Sequence, residues 1–293
     1  MPSSRPRVGY LGPEGTFSEE ALLRSAVPAI VEPVPLGSIR ETVAALREED
    51  VEWSILPIEN SLEGSIGVTL DLLAAEPRDV EIVGEALLRV SHSLIAPRPV
   101  ELGEIDTVIT HPQVPGQCAG FLRTELPHAR VLPASSTAEA VRSVVAAGDA
   151  GKAALGTLLA AEIYGGAVIR EGVEDRSDNE TRFVWVARVG TEAGPPLRVQ
   201  SGGAWKTSLV FWGPGADSPG WLVGCLDEFA RRGINLTKIE SRTRRERLGS
   251  YMFFVDLERS VDDEAVAAAV AGMAAVCEEV RVLGSYPAAP APG

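Results

Sequence analysis

Cysteine and histidine are scarce in this sequence, which has three of each among its 293 residues. The cysteines are Cys118, Cys225 and Cys277, and the histidines are His92, His111 and His128. The cysteines lie far apart without Cys-x-x-Cys spacing, and the histidines lack the spacing of metal ligands. The sequence therefore predicts no zinc site and no disulfide framework, and it is typical of a protein from the reducing cytoplasm.

Long apolar runs and an excess of positive charge are also missing. No apolar run approaches the roughly 18 residues that a membrane helix needs, and residues 1–5 lead into no signal-peptide core. The net charge is −14, from 27 basic and 41 acidic residues, which argues against a nucleic-acid or anionic-membrane partner. Hydrophobic residues make up 45% of the chain, so we expect a soluble globular protein with a substantial core.

The sequence lacks the common nucleotide-binding and hydrolase motifs. It has no Gly-x-x-x-x-Gly-Lys-Ser/Thr loop and no Gly-x-Gly-x-x-Gly. The run Gly64-Ser65-Ile66-Gly67 does not have the spacing of a nucleophile elbow. These absences argue against a nucleotide-dependent enzyme and against a hydrolase with a catalytic triad.

Glycine, proline and serine are concentrated in residues 190–205, which we interpret as a linker between domains at 7–189 and 206–287. In the first domain, β-rich runs alternate with helices that begin at the capping boxes of Thr16, Ser38 and Ser136. One buried strand over 53–56 enters Pro57-Ile58-Glu59-Asn60. This alternation predicts an α/β fold with a largely parallel sheet.

The second domain has a different order of elements. Its strands are predicted over 207–212, 234–242, 249–258 and 278–284, and its helices over 219–232 and 262–274. This βαββαβ order is typical of a ferredoxin-like fold. We expect the Pro/Ala-rich residues 287–293 to be disordered.

Small polar clusters stand at the predicted turns from strand to helix. They are Gly12-Pro13-Glu14-Gly15-Thr16-Phe17-Ser18, Glu59-Asn60-Ser61, Thr110-His111-Pro112-Gln113, Ser135-Ser136-Thr137 and Asn179-Glu180-Thr181-Arg182-Phe183. Helix N-termini offer free backbone N–H groups and a positive dipole end, so converging turns of this kind suit carboxylates. A cluster of this kind alone is more often simply a helix cap, and a lone histidine such as His111 is more often a structural hydrogen-bonding residue than a catalyst.

Several of these clusters carry a family resemblance. The motifs are Gly9-Tyr10-Leu11-Gly12-Pro13-Glu14-Gly15-Thr16-Phe17-Ser18, Pro57-Ile58-Glu59-Asn60-Ser61-Leu62-Glu63-Gly64-Ser65, His111-Pro112-Gln113 with Gln117-Cys118, Ser136-Thr137-Ala138-Glu139-Ala140, and Asn179-Glu180-Thr181-Arg182-Phe183. In this order they resemble the prephenate dehydratase family. Gly233-Ile234-Asn235-Leu236-Thr237-Lys238-Ile239-Glu240-Ser241-Arg242 resembles the ACT regulatory domain that follows in that family.

The resemblance implies a two-lobed, type II periplasmic-binding-protein-like catalytic domain, with the active site in the cleft, followed by the ferredoxin-like ACT domain. The implied enzyme is a cytoplasmic carbon–oxygen lyase of L-phenylalanine biosynthesis, which converts prephenate to phenylpyruvate without a metal or organic cofactor. Two alternatives stay open. The substrate could be arogenate, or the chain could be a non-catalytic two-lobed sensor that binds a small molecule.

The resemblance also implies roles for individual residues. Thr181 is expected to donate a hydrogen bond or proton to the departing hydroxyl group. Arg182 follows it directly, so on a strand it points to the opposite face, and it could be a carboxylate clamp or a structural salt bridge. The expected substrate-binding residues are Asn60, Ser61, Ser136, Thr137, Thr157 and Arg182.

We expect the ACT domain to pair with a second copy, giving a homodimer or homotetramer, because its sheet leaves edges that pairing would satisfy. The resemblance implies that L-phenylalanine binds at that interface and inhibits the distant cleft. The effector residues are expected to be Leu222, Asn235, Glu240 and Ser241. The alternative is a purely structural dimerisation module, which Trp221 supports because an indole stands where a small residue is expected.

Overall fold

The computed structural model describes residues 5–27, 30–75, 77–192, 194–198, 203–214, 218–244 and 249–290. In chain order its elements are β1 (Arg7–Leu11), α1 (Phe17–Ser25), β2 (Glu32–Leu36), α2 (Ile39–Arg47), β3 (Trp53–Asn60), β4 (Gly64–Ser65), α3 (Gly67–Ala74), β5 (Val80–Arg89), β6 (Ser93–Ala96), β7 (Thr107–Thr110), α4 (Val114–Gln117), α5 (Ala119–Glu125), β8 (Arg130–Pro133), α6 (Thr137–Ala147), β9 (Lys152–Gly156), α7 (Leu158–Tyr164), β10 (Ala167–Arg170), β11 (Glu180–Arg188), β12 (Trp205–Trp212), α8 (Trp221–Ala230), β13 (Leu236–Thr243), β14 (Tyr251–Glu258), α9 (Glu264–Ala274) and β15 (Glu279–Pro287). A short 3-10 helix, Leu102–Glu104, precedes β7.

The first sheet has the strand order β2-β1-β3-β11-β5, with β4 paired to β3. Strand β1 runs parallel to both β2 and β3, and β4 runs antiparallel to β3. Residues 53–58 are all buried, as expected for a strand that is covered on both faces. The predicted strand over 53–56 continues to Asn60, so Glu59 and Asn60 belong to the end of β3 rather than to a loop.

The second sheet has the order β10-β6-β9-β7-β8 and is mixed. Strands β8 and β9 run parallel to β7, whereas β6 runs antiparallel to β9 and to β10. Apolar residues of α6, among them Val141 and Val144, pack against Ile95 and Ala154 of this sheet.

Helix caps set the starts of the helices that follow the strands. The hydroxyl groups of Thr16, Ser38 and Ser136 accept hydrogen bonds from the backbone N–H groups three residues later, at 3.4, 3.1 and 3.0 Å. All three predicted caps are confirmed. The predicted helix after Thr110 is instead two short helices, α4 and α5, which meet at Cys118.

The third sheet has the order β13-β14-β12-β15, and its neighbouring strands are antiparallel. Helices α8 and α9 cover it through a core that includes Phe211, Cys225, Phe229 and Met273. The predicted βαββαβ order is confirmed, with element ends displaced by a few residues. Residues 291–293 of the predicted disordered tail, and residues 193 and 199–202 of the predicted linker, lie outside the described residues.

The chain folds as two compact units. One contains Met1–Thr69 and Ala86–Phe183, and the other contains Leu70–Glu85 and Val184–Ala291. In the second unit, the Lys206 ammonium group lies 2.8 and 2.9 Å from the two carboxylate oxygens of buried Glu85. Residues 70–85 thus group with the C-terminal residues in one compact unit, and the predicted domain division at 190–205 stays a prediction. Within the described ranges, none of the helices is long and apolar enough to cross a membrane.

Candidate active site

A cavity of about 740 Å³ opens in the unit formed by Met1–Thr69 and Ala86–Phe183. All five polar clusters identified in the sequence contribute to its walls. One lining residue from each is Thr16, Asn60, His111, Ser136 and Thr181. The predicted convergence of these turns is therefore confirmed.

Two helix N-termini face this cavity. The first turn of α1 contributes Phe17 and Ser18 to the lining, and the start of α6 contributes Ser136 and Thr137. The backbone N–H groups of a first helical turn have no acceptor inside the helix, and the helix dipole adds positive potential there. The cavity therefore presents two positions that suit anionic groups.

The hydroxyl group of Thr181 lies in the cavity wall near the start of β11 and is almost completely buried. Its oxygen accepts a hydrogen bond from Asn60 Nδ2 at 2.9 Å. The orientation of the Asn60 amide is fixed because its Oδ1 accepts from the backbone N–H groups of Leu62 and Glu63, both at 2.9 Å. Since Asn60 donates and Thr181 accepts, the hydroxyl proton of Thr181 is available to a molecule in the cavity.

Asn179 extends this arrangement. Its Oδ1 accepts from Asn60 Nδ2 at 2.9 Å and from the Ser61 hydroxyl group at 3.3 Å. Ser61 also accepts from the backbone N–H of Glu180 at 3.0 Å. Ser61 is outside the cavity lining and connects the loop after β3 to the start of β11, so its predicted contact with substrate stays a prediction.

Arg182 is nearly buried and, unlike Thr181, does not belong to the cavity lining. Its guanidinium Nη1 lies 3.8 Å from Glu59 Oε2 on the neighbouring strand β3. Side chains alternate between the two faces of a strand, which explains why the two consecutive residues differ. Of the two interpretations of Arg182, this geometry favours the structural salt bridge.

Thr157 is fully buried and also lies outside the cavity lining. Its hydroxyl group donates to the Gly15 carbonyl oxygen at 2.6 Å and accepts from the Ala160 N–H at 2.9 Å. Gly15 has φ +84°, and a Cβ there would lie 2.8 Å from Ala160 Cα, so the loop after β1 needs glycine to approach α7. Thr157 therefore joins that loop to α7, and its role toward substrate stays a prediction.

The lining is poor in positive side chains. Among the described residues it includes no Arg or Lys, and it includes the carboxylates of Glu63 and Glu139. Glu139 is paired with Arg142, with Oε2 2.6 Å from the guanidinium Nη2. Binding of an anion must therefore rely on the helix N-termini and on neutral donors. In the described part of the chain, no three or more His, Cys, Asp or Glu side chains are grouped as a metal site would require.

Sequence reasoning overlooked His92, which lines the cavity with only 2% of its surface exposed. Its Nε2 lies 3.0 Å from Gln117 Oε1, and burial lowers the pKa of its imidazole. The signal in the sequence that could have identified His92 was its position immediately before the buried strand β6. The resemblance did include Gln117, which also lines the cavity.

The predicted effector residues lie in the second unit. Leu222 packs against the core beneath α8, and Asn235 Nδ2 donates to Glu258 Oε1 at 3.0 Å. Glu240 lies 3.7 Å from the Lys238 ammonium group, and Ser241 is exposed on β13. Because β13 pairs only with β14 within its sheet, its outer edge has no neighbouring strand among the described residues.

Trp221 occupies a defined place in this second unit. Its indole N–H donates to the Val276 carbonyl oxygen at 2.8 Å. The ring packs against Phe211 and Phe253, with centroid distances of 6.0 Å to each. The partly buried indole therefore packs against the core between α8 and the sheet.

Fold and cavity together define a class: an α/β protein in which residues on or next to the strands of two sheets line one cavity suited to anions, followed by a βαββαβ domain. Comparison with family models specifies the class further. The prephenate dehydratase model matches residues 8–191, and the ACT domain model matches residues 216–273. The chain belongs to the prephenate dehydratase family.

Individual relatives agree with this membership. A prephenate dehydratase of Mycobacterium sp. (strain KMS) is 40% identical over 298 residues, covering 98% of this chain and 91% of the relative. The structure of a prephenate dehydratase in complex with L-Phe from Arthrobacter aurescens has a TM-score of 0.85 and 35% identity, covering 96% of this chain and 90% of the other. The structure of GqqA, described as a novel type of quorum quenching acylase, has a TM-score of 0.84 and 28% identity over 97% of this chain and 98% of the other.

Proposed function

We propose that the chain is a carbon–oxygen lyase that converts prephenate to phenylpyruvate in L-phenylalanine biosynthesis. The observation that carries the proposal is the Thr181 hydroxyl group in the cavity wall, whose oxygen accepts from Asn60. That arrangement leaves one O–H donor directed at whatever occupies the cavity. Membership of the prephenate dehydratase family supplies the substrate class.

The reaction needs a hydrogen-bond donor at the departing hydroxyl group. The bond between the ring and its carboxylate breaks, carbon dioxide leaves, and the freed electron pair completes the aromatic ring as the C–O bond opposite breaks. The departing hydroxide takes up a proton and leaves as water. The net change is prephenate dianion plus one proton to phenylpyruvate, carbon dioxide and water, and no electrons are exchanged with a cofactor.

Thr181 acts in this mechanism as a hydrogen-bond donor rather than as a full acid. An aliphatic hydroxyl group is too weak an acid at neutral pH for proton donation to be matched to the task. A positioned donor gains strength as negative charge develops on the leaving oxygen, and one such donor typically contributes roughly 10²–10³ in rate. The hydrogen bond accepted from Asn60 polarises the hydroxyl group and so strengthens its donation.

The two substrate carboxylates are assigned to the helix N-termini. The starts of α1 and α6 provide N–H groups at Phe17, Ser18 and Thr137, all of which belong to the cavity lining. This assignment fits a lining that includes no Arg or Lys among its described residues. The carboxylate that leaves as carbon dioxide must lose its charge, so neutral donors serve it better than a strong ion pair would.

Arogenate is the second candidate substrate. It differs from prephenate in carrying an ammonium group where prephenate has a keto oxygen. The Glu63 carboxylate in the cavity lining offers that group a partner.

Hydrolysis of an acyl group comes into question because the similar structure of GqqA is described as an acylase. The cavity offers no comparable support for this reaction. That chemistry needs an activated nucleophile, and within the described lining no Ser or Thr hydroxyl group is hydrogen-bonded to a histidine.

The assay that tests the proposal gives purified protein prephenate and arogenate in parallel and follows the aromatic products. We expect phenylpyruvate from prephenate, with a higher kcat/KM than for phenylalanine formation from arogenate. A preference for arogenate would change the substrate and keep the chemistry. No turnover of either would overturn the proposal and favour a non-catalytic binding protein.

The C-terminal domain is assigned to regulation. L-phenylalanine is the proposed effector, bound near Leu222, Asn235, Glu240 and Ser241, in a cytoplasmic homodimer or homotetramer. The described complex of L-Phe with the Arthrobacter aurescens prephenate dehydratase supports this effector. The unpaired edge of β13 supports pairing between copies of the domain.

A further inference from the structure

His92 follows β5 and precedes β6, and its ring is held on two sides. Phe17 contacts it edge to face, with ring centroids 5.4 Å apart at 85°. On the other side, Nε2 lies 3.0 Å from Gln117 Oε1. Its Nδ1 is buried and has no hydrogen-bond partner among the described residues.

Neighbouring amides determine which nitrogen of His92 carries the proton. The Asn60 amide is oriented by two backbone N–H groups, so its Nδ2 donates to Asn179 Oδ1. Asn179 must then present Nδ2 to Gln117 Oε1, at 3.3 Å. Gln117 correspondingly presents Nε2 to the Glu63 carboxylate, which accepts at 3.3 Å.

Gln117 Oε1 is therefore an acceptor, and His92 Nε2 must be the donor to it. The ring then bears its proton on Nε2 and a lone pair on Nδ1. A second proton on Nδ1 would place an N–H group in a buried position that offers no acceptor. Burial lowers the pKa of the ring. The hydrogen bond to Gln117 and the Glu174 carboxylate act in the opposite direction, but the net shift of the pKa is downward, which favours the neutral form.

We propose that His92 is a positioning residue for the reaction, which holds Gln117 and, through Asn179 and Asn60, the Thr181 hydroxyl group. The chain of hydrogen bonds runs His92 to Gln117, Asn179 to Gln117, Asn60 to Asn179 and Asn60 to Thr181. Its kinetic consequence rests on the proposed function. The Nε2–H tautomer rests on the hydrogen-bond geometry alone.

The variants H92F and H92Q test this role. Phenylalanine keeps the contact with Phe17 and removes the donor, whereas glutamine keeps an N–H donor within reach of Gln117. We expect H92F to lower kcat for prephenate roughly tenfold while KM changes less than about threefold, because the loss is one positioning hydrogen bond. H92Q is expected to recover most of kcat. Equal losses in both variants, or an unchanged kcat in H92F, would overturn the proposal.

A double-mutant cycle with Q117L distinguishes a role of His92 that acts through Gln117 from an effect of H92F on the site that is independent of Gln117. If His92 acts through Gln117, the double variant H92F/Q117L is no slower than Q117L alone. The matched control is H111F, which alters another imidazole of the cavity lining that stands outside the amide chain, and its effect should multiply with that of Q117L. Multiplying effects of H92F and Q117L would contradict the proposal.

Nitrogen-15 NMR of the wild-type protein tests the tautomer without any substrate. We expect His92 to show a protonated Nε2 and an unprotonated Nδ1 at neutral pH. The opposite tautomer, or a doubly protonated ring, would overturn the proposed chain even if the enzyme is active. The expected tautomer in a protein that turns over no prephenate would instead show that the proposed function had failed.

Discussion

At the scale of single residues, Thr181 and Arg182 show how consecutive side chains take different tasks. Thr181 lines the cavity, and Arg182 lies 3.8 Å from Glu59 and outside the lining. The resemblance places both in one catalytic motif, and only the alternation of side chains along β11 separates them. One motif thus places Thr181 in the cavity wall and Arg182 beside a neighbouring strand.

The substitution Arg182→Lys distinguishes the salt bridge from the carboxylate clamp. We expect KM for prephenate to stay within about twofold, because Arg182 does not reach the cavity. The melting temperature should fall by a few degrees, since lysine keeps the charge and loses the planar guanidinium group. The control is Arg24→Lys, an exposed arginine paired with Glu20, which should change neither quantity. A severalfold rise of KM in a stable Arg182→Lys protein would instead support the interpretation of Arg182 as a carboxylate clamp.

At the scale of elements, the N-terminus of α6 is assigned both to helix stability and to carboxylate binding. The Ser136 hydroxyl group accepts from the Glu139 N–H at 3.0 Å and also lines the cavity. Ser38 provides a matched cap on α2, accepting from the Glu41 N–H at 3.1 Å, and it is not part of the lining. Substituting each serine in turn therefore distinguishes the effect of losing a helix cap from the effect of losing a substrate contact.

We expect Ser136→Ala and Ser38→Ala each to lower the free energy of unfolding by about 1 kcal/mol, the usual effect of losing a cap. Only Ser136→Ala should also raise KM for prephenate, by roughly threefold to tenfold. Urea unfolding measures the first quantity and steady-state kinetics the second. Equal KM values in the two variants would show that the start of α6 does not hold the substrate.

The sequence predicted those elements whose local signals agree with the fold. Helices α1, α2 and α6 each begin at a cap three residues ahead of a glutamate. Strand β2 escaped prediction because it contains Pro33 and Pro35, which are tolerated there since β2 is an edge strand. Helix α3 begins at Gly67 without a capping signal.

The candidate site was predictable only in part for a related reason. Residues within one motif could be recognised, but the hydrogen bonds from Asn179 to Gln117 and from Asn60 to Asn179 join positions that are 62 and 119 residues apart. His92 belongs to none of the recognised motifs, and its bond to Gln117 joins positions that are 25 residues apart. The role of Thr157 likewise depends on the approach of Gly15 to α7, which the sequence does not reveal.

At the scale of the whole molecule, the sequence suggests a linker at 190–205, and the compact units divide differently. The chain passes from one unit to the other within α3, and Asp71 of this helix accepts from Arg242 of β13 at 2.8 Å. Arg242 directly follows the predicted effector residues Glu240 and Ser241. The second unit thus includes a segment of the family's catalytic region together with the ACT domain.

Feedback control is tested by substrate saturation with and without L-phenylalanine. We expect the effector to weaken apparent substrate affinity in the wild type, with coupling of about 1–3 kcal/mol or roughly 5–150-fold. Trp221→Phe should remain sensitive, because phenylalanine keeps the aromatic contact with Phe211 and Phe253. Sensitivity in Trp221→Ala alone would show that the indole blocks the site. If the wild type and both variants are insensitive to L-phenylalanine and calorimetry detects no binding of it, the C-terminal domain would be a purely structural dimerisation module.

The most direct test of the account is kcat for phenylpyruvate formation from prephenate by Thr181→Ala and Thr181→Ser. Both variants should keep the wild-type fold by circular dichroism, so that the rate reports the hydroxyl group alone. We predict that Thr181→Ala loses roughly 10²–10³ in kcat, the effect of one positioned donor, and that Thr181→Ser stays within about tenfold of the wild type. A Thr181→Ala protein with near-wild-type kcat would contradict the assignment of Thr181 as the catalytic donor.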